Sequence, residues 1–451
     1  MPKSTPKSKP LTLTAIEEGS AADGLAPAQA QWARSNGFTG QRGKLLPLPG
    51  DDGAVAGYLF GVGGADGRPK LLHGLAAAAL EPGRYRLAGA LGDPTIAALG
   101  FRLGAYRYDR YRKAREAVEL ELPEGADAAE VERLTEAAFL ARDLVNTPAN
   151  DLGPDALEKE IRAFAKRHKL EVKVIAGDDL LKQNFPLIHA VGRAAAEVPR
   201  LVDFSWGRSK DPKITLVGKG VTFDTGGLDI KPSAGMLLMK KDMGGAANIL
   251  GLAHAIIDAG LKVRLRVLIP IVENAISASA FRPGDVLRAR NGSTVEIGNT
   301  DAEGRLILGD ALALADEEAP ELIVDMATLT GAARVALGPE LPPLYTLSDE
   351  LAAGLMAAGQ VSDDPLWRLP LHAPYEAMLA SKIADINNAG AGGFAGSITA
   401  ALFLKRFVKQ ARDWAHLDIF AWAPEARAGR PFGGTDQGIR AVYGYLKQRY
   451  N

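Results

Sequence analysis

From about Leu11 to Leu120 short apolar segments alternate with turn signals: Ala56–Gly63 (AGYLFGVG) runs into ADGRPK, and Arg84–Leu91 (RYRLAGAL) runs into GDP. Apolar runs of this length bounded by Gly, Pro and Asp read as strands. The first run ends in GVGGADG, which departs from a dinucleotide-binding loop because Asp66 stands at the third glycine and no apolar helix follows directly; it reads instead as a hairpin turn at Asp66-Gly67. Between Asp127 and Asp151 the period changes. Val131, Leu134, Ala138 and Leu144 fall at helical spacing, and the pattern stops at Pro148.

Beyond this helix the periods alternate. The spacing predicts a helix over 155–168, strands at LEVKVI and KITLVGKG, a helix over 246–259 and the strand LKVRLRVLIPIVENA. A hairpin turning at Asn291-Gly292, a helix over 305–316 and the strand ELIVDMAT follow. Strands alternating with helices predict a mostly parallel sheet covered on both faces. The expected class is α/β with two domains, each a mostly parallel or mixed sheet flanked by helices, the C-terminal one catalytic. The expected divisions are a disordered tail over 1–10, an N-terminal domain over 11–126, a linking helix over 127–150 and a catalytic domain over 151–451.

Composition changes this picture little. A chain of 451 residues exceeds one ordinary core, which favours two domains. A formal net charge of −1 gives no electrostatic case for nucleic acid or an anionic membrane as partner. The absence of cysteine excludes disulfides and thiolate metal sites and fits a reducing compartment, so the expectation is a soluble cytoplasmic protein without a membrane span or signal peptide.

The candidate chemistry lies in two acidic blocks. In Gly218–Gly245 (GKGVTFDTGGLDIKPSAGMLLMKKDMGG), Asp224 ends a strand and Asp242 stands just before a Gly-Gly pair and a helix. In Asn299–Leu306 (NTDAEGRL), Asp301 and Glu303 stand where the hairpin gives way to a helix. Ligands of open α/β sheets bind at the carboxyl ends of the strands, so the four positions can converge. Four carboxylates in one pocket repel each other unless cations neutralise them, and with no Cys or His in either block the donors are oxygens plus Lys219. Oxygen donors suit Mg²⁺ and Mn²⁺, and Zn²⁺ also accepts carboxylates; two ions sharing bridging carboxylates would balance the charge. Lys219 and Lys231, beside two cations, would have depressed pKa values, so that a neutral amine becomes a possible ligand, while Arg305 stays charged and can hold an anion.

Each position also has a plainer reading. Asp242, Thr300 and Asp301 are ordinary helix N-cap types, Glu303 near a first turn complements the helix dipole, and Asp224 suits a turn before Gly226-Gly227. Spacing alone does not separate the two readings. GKG is a poor phosphate loop, since Lys213 stands where the leading glycine belongs. The histidines (His73, His168, His189, His254, His372 and His416) are scattered and read as structural or solvent-facing. The glycine-rich Asn387–Ser397 reads as a loop or a mobile rim.

At these blocks the chain resembles the leucyl aminopeptidase family, the hexameric two-metal enzymes of the M17 type. NTDAEGRL is the family's signature octapeptide, and VGKGVTFDTGGLDIKPSAGM followed by MKKDMGGAA matches its second block. RDLVNTPAND, DMATLTGA and GSITAALFL resemble further family segments, so the likeness runs from about Ala141 to the end, whereas AGRPFGGTDQGIRAVYGYL departs from better-known members. The resemblance implies that Lys219, Asp224, Asp242 and Glu303 hold one metal, which also receives the substrate's α-amine. It implies that Asp224, Asp301 and Glu303 hold the second, the Asp301 carbonyl adding a ligand. Lys231 would stabilise the oxyanion, and Arg305 would hold a bicarbonate acting as general base. Met239 and Thr328 would line the side-chain pocket, with Leu329 and Gly331 against the substrate backbone. The implied cofactors are two divalent ions (Mn²⁺ or Zn²⁺, with Mg²⁺ a further candidate) and bicarbonate. The implied partners are peptides with a free N-terminus and five further copies in a homohexamer. A two-metal phosphoesterase, a DNA-contacting role and an inactive homologue are the rivals. The first would draw its phosphate contacts from Lys231 and Arg305 alone, near-neutral charge speaks against the second, and the intact ligands against the third.

Overall fold

The computed structural model describes residues 9–20 and 25–451; most of the expected N-terminal tail lies outside the described residues. Chain contacts divide it into two units, Met1–Glu136 with Pro424–Phe432, and Ala137–Ala423 with Gly433–Asn451. The helix Ala128–Asn146 crosses this division along the chain.

In the first unit, strands β1 (Leu11–Glu17), β2 (Leu45–Pro49), β3 (Val55–Gly63), β4 (Gly83–Gly89) and β5 (Val118–Glu121) form one sheet in the order β2-β3-β1-β4-β5. All pairs are parallel except β2 with β3. Gly67 does turn the chain with φ +61°, but β3 leads into the helix His73–Ala79 and not into a partner strand. The hairpin expected there is absent because β2 and β1 already occupy the two edges of β3, so the next strand, β4, pairs in parallel with the far edge of β1 and is reached through a helix.

The second unit holds β6 (Val172–Ala176), β7 (Arg200–Trp206), β8 (Lys213–Gly218), β9 (Gly220–Asp224), β10 (Arg264–Asn274), β11 (Val286–Arg288), β12 (Thr294–Glu296), β13 (Leu322–Ala327), β14 (Pro343–Tyr345), β15 (Trp367–Arg368), β16 (Ile386–Asn387) and β17 (Asp413–Asp418). Its main sheet runs β15-β14-β17-β13-β8-β10-β7-β6, with β9 also on β10. The centre, β17-β13-β8-β10, is parallel, and β7 and β14 begin antiparallel margins. β13 is buried along its whole length, as a strand covered on both faces must be. Helices Gly244–Ala259 and Ile439–Tyr450 pack together on one side, and Glu303–Asp316 packs with Pro186–Gly192 and Gly396–Lys405 in a second layer. β11 and β12 form the hairpin turning at Gly292, extended by β16.

Two local features aim the unit at its strand ends. The segment KITLVGKG does not run as one strand: β8 stops at Gly218 and β9 starts at Gly220, leaving Lys219 at the break. There the Lys219 N–H donates to the Met326 carbonyl at 3.1 Å, and its carbonyl accepts from Ala246 N–H at 2.8 Å. The following helix enters so close that a Cβ on Gly245 would lie 2.1 Å from the Met326 oxygen. The helix carrying Glu303 is fixed from the other side by its own buried Asp310, whose carboxylate accepts from Leu187 N–H at 2.8 Å and Arg290 N–H at 2.8 Å.

Candidate metal centre

Every residue the sequence singled out for chemistry or substrate contact lines one cleft of about 480 Å³ in the second unit: Lys219, Asp224, Lys231, Met239, Asp242, Asp301, Glu303, Arg305, Thr328, Leu329 and Gly331. The side chains arrive from the carboxyl ends of β8, β9 and β13, from the stretch between β9 and the helix Gly244–Ala259 that carries Lys231, Met239 and Asp242, and from the start of the helix Glu303–Asp316. This is where parallel sheets leave room for ligands.

Oxygens of Asp224, Asp242 and Glu303 lie within 4.8 Å of one another, and all three residues are buried. Lys219 Nζ sits 2.7 Å from Asp242 Oδ2 and 3.0 Å from Glu303 Oε1, and donates to the Thr328 carbonyl at 3.0 Å. A Cβ on Gly304 would lie 2.5 Å from Lys219 Cε, so glycine in this place of the octapeptide leaves the lysine its channel. Lys231 Nζ is 2.8 Å from Asp224 Oδ2 and also pairs with Asp301 Oδ1. Thr328 Oγ1 donates to Asp242 Oδ1 at 2.8 Å.

The plainer readings now separate. Asp224 does serve the turn, since its Oδ1 accepts from Gly226 N–H at 2.8 Å and from Asn274 Nδ2 at 2.8 Å, but its Oδ2 is left for the cluster. Ala302 occupies the N-cap of the Glu303–Asp316 helix without a side-chain bond, so Asp301 does not cap it. Asp242 lies in a short 3₁₀ turn, Met239–Met243, and caps nothing. Thr300 instead staples loops, donating to the Gly226 carbonyl at 2.6 Å and accepting from Asp229 N–H at 2.8 Å.

Electrostatics records the crowding. Burial and the neighbouring Asp224 push Glu303 up to about 8, and the same two causes raise Asp301 to about 6. Burial pulls Lys219 down, but Asp242, Glu303 and Asp224 outweigh it and hold the ammonium above its usual range. Lys231 is likewise raised, against burial, by Asp224 and Glu303. These are the oxygens a cation would use, and a divalent ion among them would reverse the sign for both lysines. The residues present fit such an ion: Glu303 Oε2 is buried without a hydrogen-bond partner among the described residues, and the donors are hard oxygens. Arg305 fits an anion. One nitrogen donates to the Asn388 carbonyl at 2.7 Å, while its buried Nε has no partner among the described residues.

Sequence reasoning missed several groups. Asn388, inside the glycine-rich stretch, accepts from Gly298 N–H at 2.8 Å and donates to the Asn299 carbonyl at 2.7 Å, holding the entry to NTDAEGRL. Asp418 accepts from Leu329 N–H at 3.0 Å and Thr330 N–H at 3.1 Å, fixing the loop that carries Leu329 and Gly331. Lys241 and Phe420 also line the cleft. Of the histidines, His416 is fully buried against Asp325, 2.6 Å away, and His189 pairs with Asp178 at 3.1 Å; none lines the cleft.

A two-domain α/β chain with buried carboxylates and lysines at its strand ends has the form of a metal-dependent hydrolase, and known proteins specify which. Residues 139–443 match the cytosol aminopeptidase family's catalytic domain, and residues 10–123 match the M17 aminopeptidase N-terminal domain. The chain is 38% identical to the "Probable cytosol aminopeptidase" of Sinorhizobium medicae, over 92% of this chain and 91% of that one. It is 41% identical to the protein of the same name from Syntrophotalea carbinolica, over 77% of this chain and 74% of that one. Among solved structures, the cytosol aminopeptidase from Coxiella burnetii superposes with a TM-score of 0.93 at 46% identity, covering 99% of both chains. The bottromycin maturation enzyme BotP in complex with Mn superposes at 0.89 with 37% identity, over 97% of this chain and 99% of that one. The chain therefore belongs to the cytosol aminopeptidase family, and it is a peptide-bond hydrolase of the metallo-aminopeptidase class.

Proposed function

We propose that the chain removes N-terminal residues, leucine and other apolar ones among them, from peptides with a free α-amine, at a centre holding two divalent ions. The observation that carries this is the convergence of Asp224, Asp242 and Glu303 in burial, with one Glu303 oxygen unpartnered among the described residues, Lys219 on Asp242 and Glu303, and Lys231 on Asp224. Lys219, Asp224, Asp242 and Glu303 would hold one ion, and Asp224, Asp301 and Glu303 the other, with the Asp301 carbonyl as a further donor. Such a pair, when bound, lowers the pKa of a water and polarises a carbonyl. Mn²⁺, Zn²⁺ and Mg²⁺ all accept these donors.

The remaining work falls to the chain. Lys231, held between Asp224 and Asp301 with its side chain 15% exposed, faces the cleft where a scissile carbonyl would lie, and its ammonium would meet the developing oxyanion. Arg305, anchored on Asn388 with Nε free, would hold bicarbonate, which supplies the general base that a cleft without histidine lacks. Thr328 orients Asp242, and the loop pinned by Asp418 presents Leu329 and Gly331 to the peptide backbone. Leu238, Met239, Leu329 and Ile419 give the cleft an apolar wall suited to a leucine side chain. Assignment of catalysis to residues 151–451 is supported by all of these positions falling there. Family resemblance supports a homohexamer. The relatives' names support a cytosolic setting, and no helix among the described residues is long and apolar enough to cross a membrane.

Leucine p-nitroanilide and its N-acetylated form, offered to protein refilled with Mn²⁺ or Zn²⁺, test the reading. Cleavage of the free-amine substrate alone is expected. Failure to cleave it, or equal cleavage of both, sinks the proposal.

A further inference from the structure

Two cations line the cleft without serving the carboxylate cluster. Lys241 shares the 3₁₀ turn of Asp242, yet its ammonium makes no hydrogen bond or ion pair among the described residues. The residue is 5% exposed, and its Nζ lies 4.8 Å from the centroid of the Phe420 ring. Arg334, on the helix Gly331–Leu337, places its guanidinium carbon 5.0 Å from the centroid of the same ring. Phe420 is thus flanked by two positive groups, and all three residues share the cleft with Met239, Thr328 and Leu329.

A buried ammonium is costly unless paired, and a ring face replaces only part of the water it gives up. Its usual counter-charge is a carboxylate. Asp242 is adjacent in sequence, but its oxygens are taken by Lys219 and Thr328, and Asp418 is spent on the Thr330 loop. Burial accordingly lowers the Lys241 pKa to about 8, and an anion entering from outside the chain would supply the counter-charge that the ring face does not. The opening available to it is the cleft, with Arg334 at the exposed side and apolar Met239 and Leu329 beside it.

We propose that Lys241 and Arg334 form a carboxylate-binding end of the side-chain pocket, so that the enzyme accepts peptides beginning with glutamate or aspartate and disfavours those beginning with lysine or arginine. Apolar first residues still fit the wall of Met239 and Leu329. The acidic side chain reaches past that wall to the two cations. This preference presupposes the aminopeptidase activity proposed above and adds the chemistry of the first side chain to it.

The test compares kcat/KM for the α-glutamyl, glutaminyl, leucyl and lysyl p-nitroanilides on the metal-loaded protein. Glutamyl and glutaminyl substrates have the same shape, so their ratio isolates the charge. Glutamyl over glutaminyl by about tenfold or more, with lysyl slowest, is expected. In Lys241→Met that ratio should fall about tenfold, and in Arg334→Gln, an exposed position that spares the fold, it should fall severalfold. A glutamyl rate no higher than the glutaminyl one, or a ratio unmoved in both variants, overturns the proposal. A leucyl substrate left uncut by wild type defeats the aminopeptidase reading itself, which is a different result. A dipeptide's C-terminal carboxylate is the competing occupant, so Leu-Gly is compared with Leu-Gly amide. A loss in Lys241→Met confined to that pair overturns the side-chain assignment.

Discussion

Gly304→Ala isolates the positioning of Lys219 from the stability of the fold. The added Cβ would lie 2.5 Å from Lys219 Cε and 2.8 Å from Nζ, where ordinary carbon contacts need about 3.5–4.0 Å. The lysine must therefore move by roughly 1 Å, and with only 2% of it exposed it has no empty space to take. Its bonds to Asp242, Glu303 and Thr328 would stretch together. On stability two effects oppose: alanine is favoured over glycine in a helix by up to about 1 kcal/mol, and strained bonds of a buried ammonium cost about 1–3 kcal/mol. The melting temperature should shift by only a few degrees. Activity should not be spared, because misplacing a group at a reacting centre by about 1 Å costs on the order of 100-fold in rate. The assay is kcat/KM for leucine p-nitroanilide under saturating Mn²⁺, beside thermal unfolding of the same samples. A variant within about twofold of wild type, with the same metal requirement, would refute the claim that this glycine exists to leave room for the lysine.

Two further predictions concern the frame of the second unit. Asp436 is buried against Arg142, 2.7 Å away, and Arg440, so Asp436→Ala removes a carboxylate from two buried guanidinium groups, with Arg440 keeping Asp364 at 4.0 Å, and should cost about 3–5 kcal/mol, read by denaturant unfolding; a cost below about 1 kcal/mol would contradict it. Burial pushes His416 down, but Asp325 beside it prevails and raises its pKa above the ordinary 6.5. A raised histidine stabilises fully below its unfolded pKa and loses that contribution as pH rises through the folded one. Asp325→Asn should therefore destabilise by about 1.5–3 kcal/mol near pH 6 and by less near pH 9, and a deficit that grows with pH would contradict the pairing.

The cluster was legible because its parts are local. Asp301, Glu303 and Arg305 share one octapeptide, and Asp224 and Asp242 flank turns that strand and helix periods locate. Their convergence followed from one rule about strand ends. What stayed hidden depends on partners far along the chain. Asn388 braces residues 298 and 299 from a stretch whose glycines suggested a loop or a mobile rim. Asp418 fixes Leu329 and Thr330 from 89 and 88 residues away. The unpaired state of Lys241 exists only once Asp242 has been claimed by Lys219 and Thr328. The misread turn at Gly67 has the same origin, since β1 and β2, from earlier in the chain, already occupy both edges of β3 and leave none for a hairpin partner.

Whether the carboxylates of the cleft hold two catalytic divalent ions is decided by stripping the protein with a chelator and titrating Mn²⁺ back while bound metal and hydrolysis of leucine p-nitroanilide are followed together. The stripped protein should be inactive, and recovery should track two bound ions per chain. Glu303→Gln, at the donor that both ions would share, should lose bound metal and activity together. Undiminished hydrolysis without divalent ions, or a Glu303→Gln protein that retains both ions and full activity, would contradict the two-ion centre.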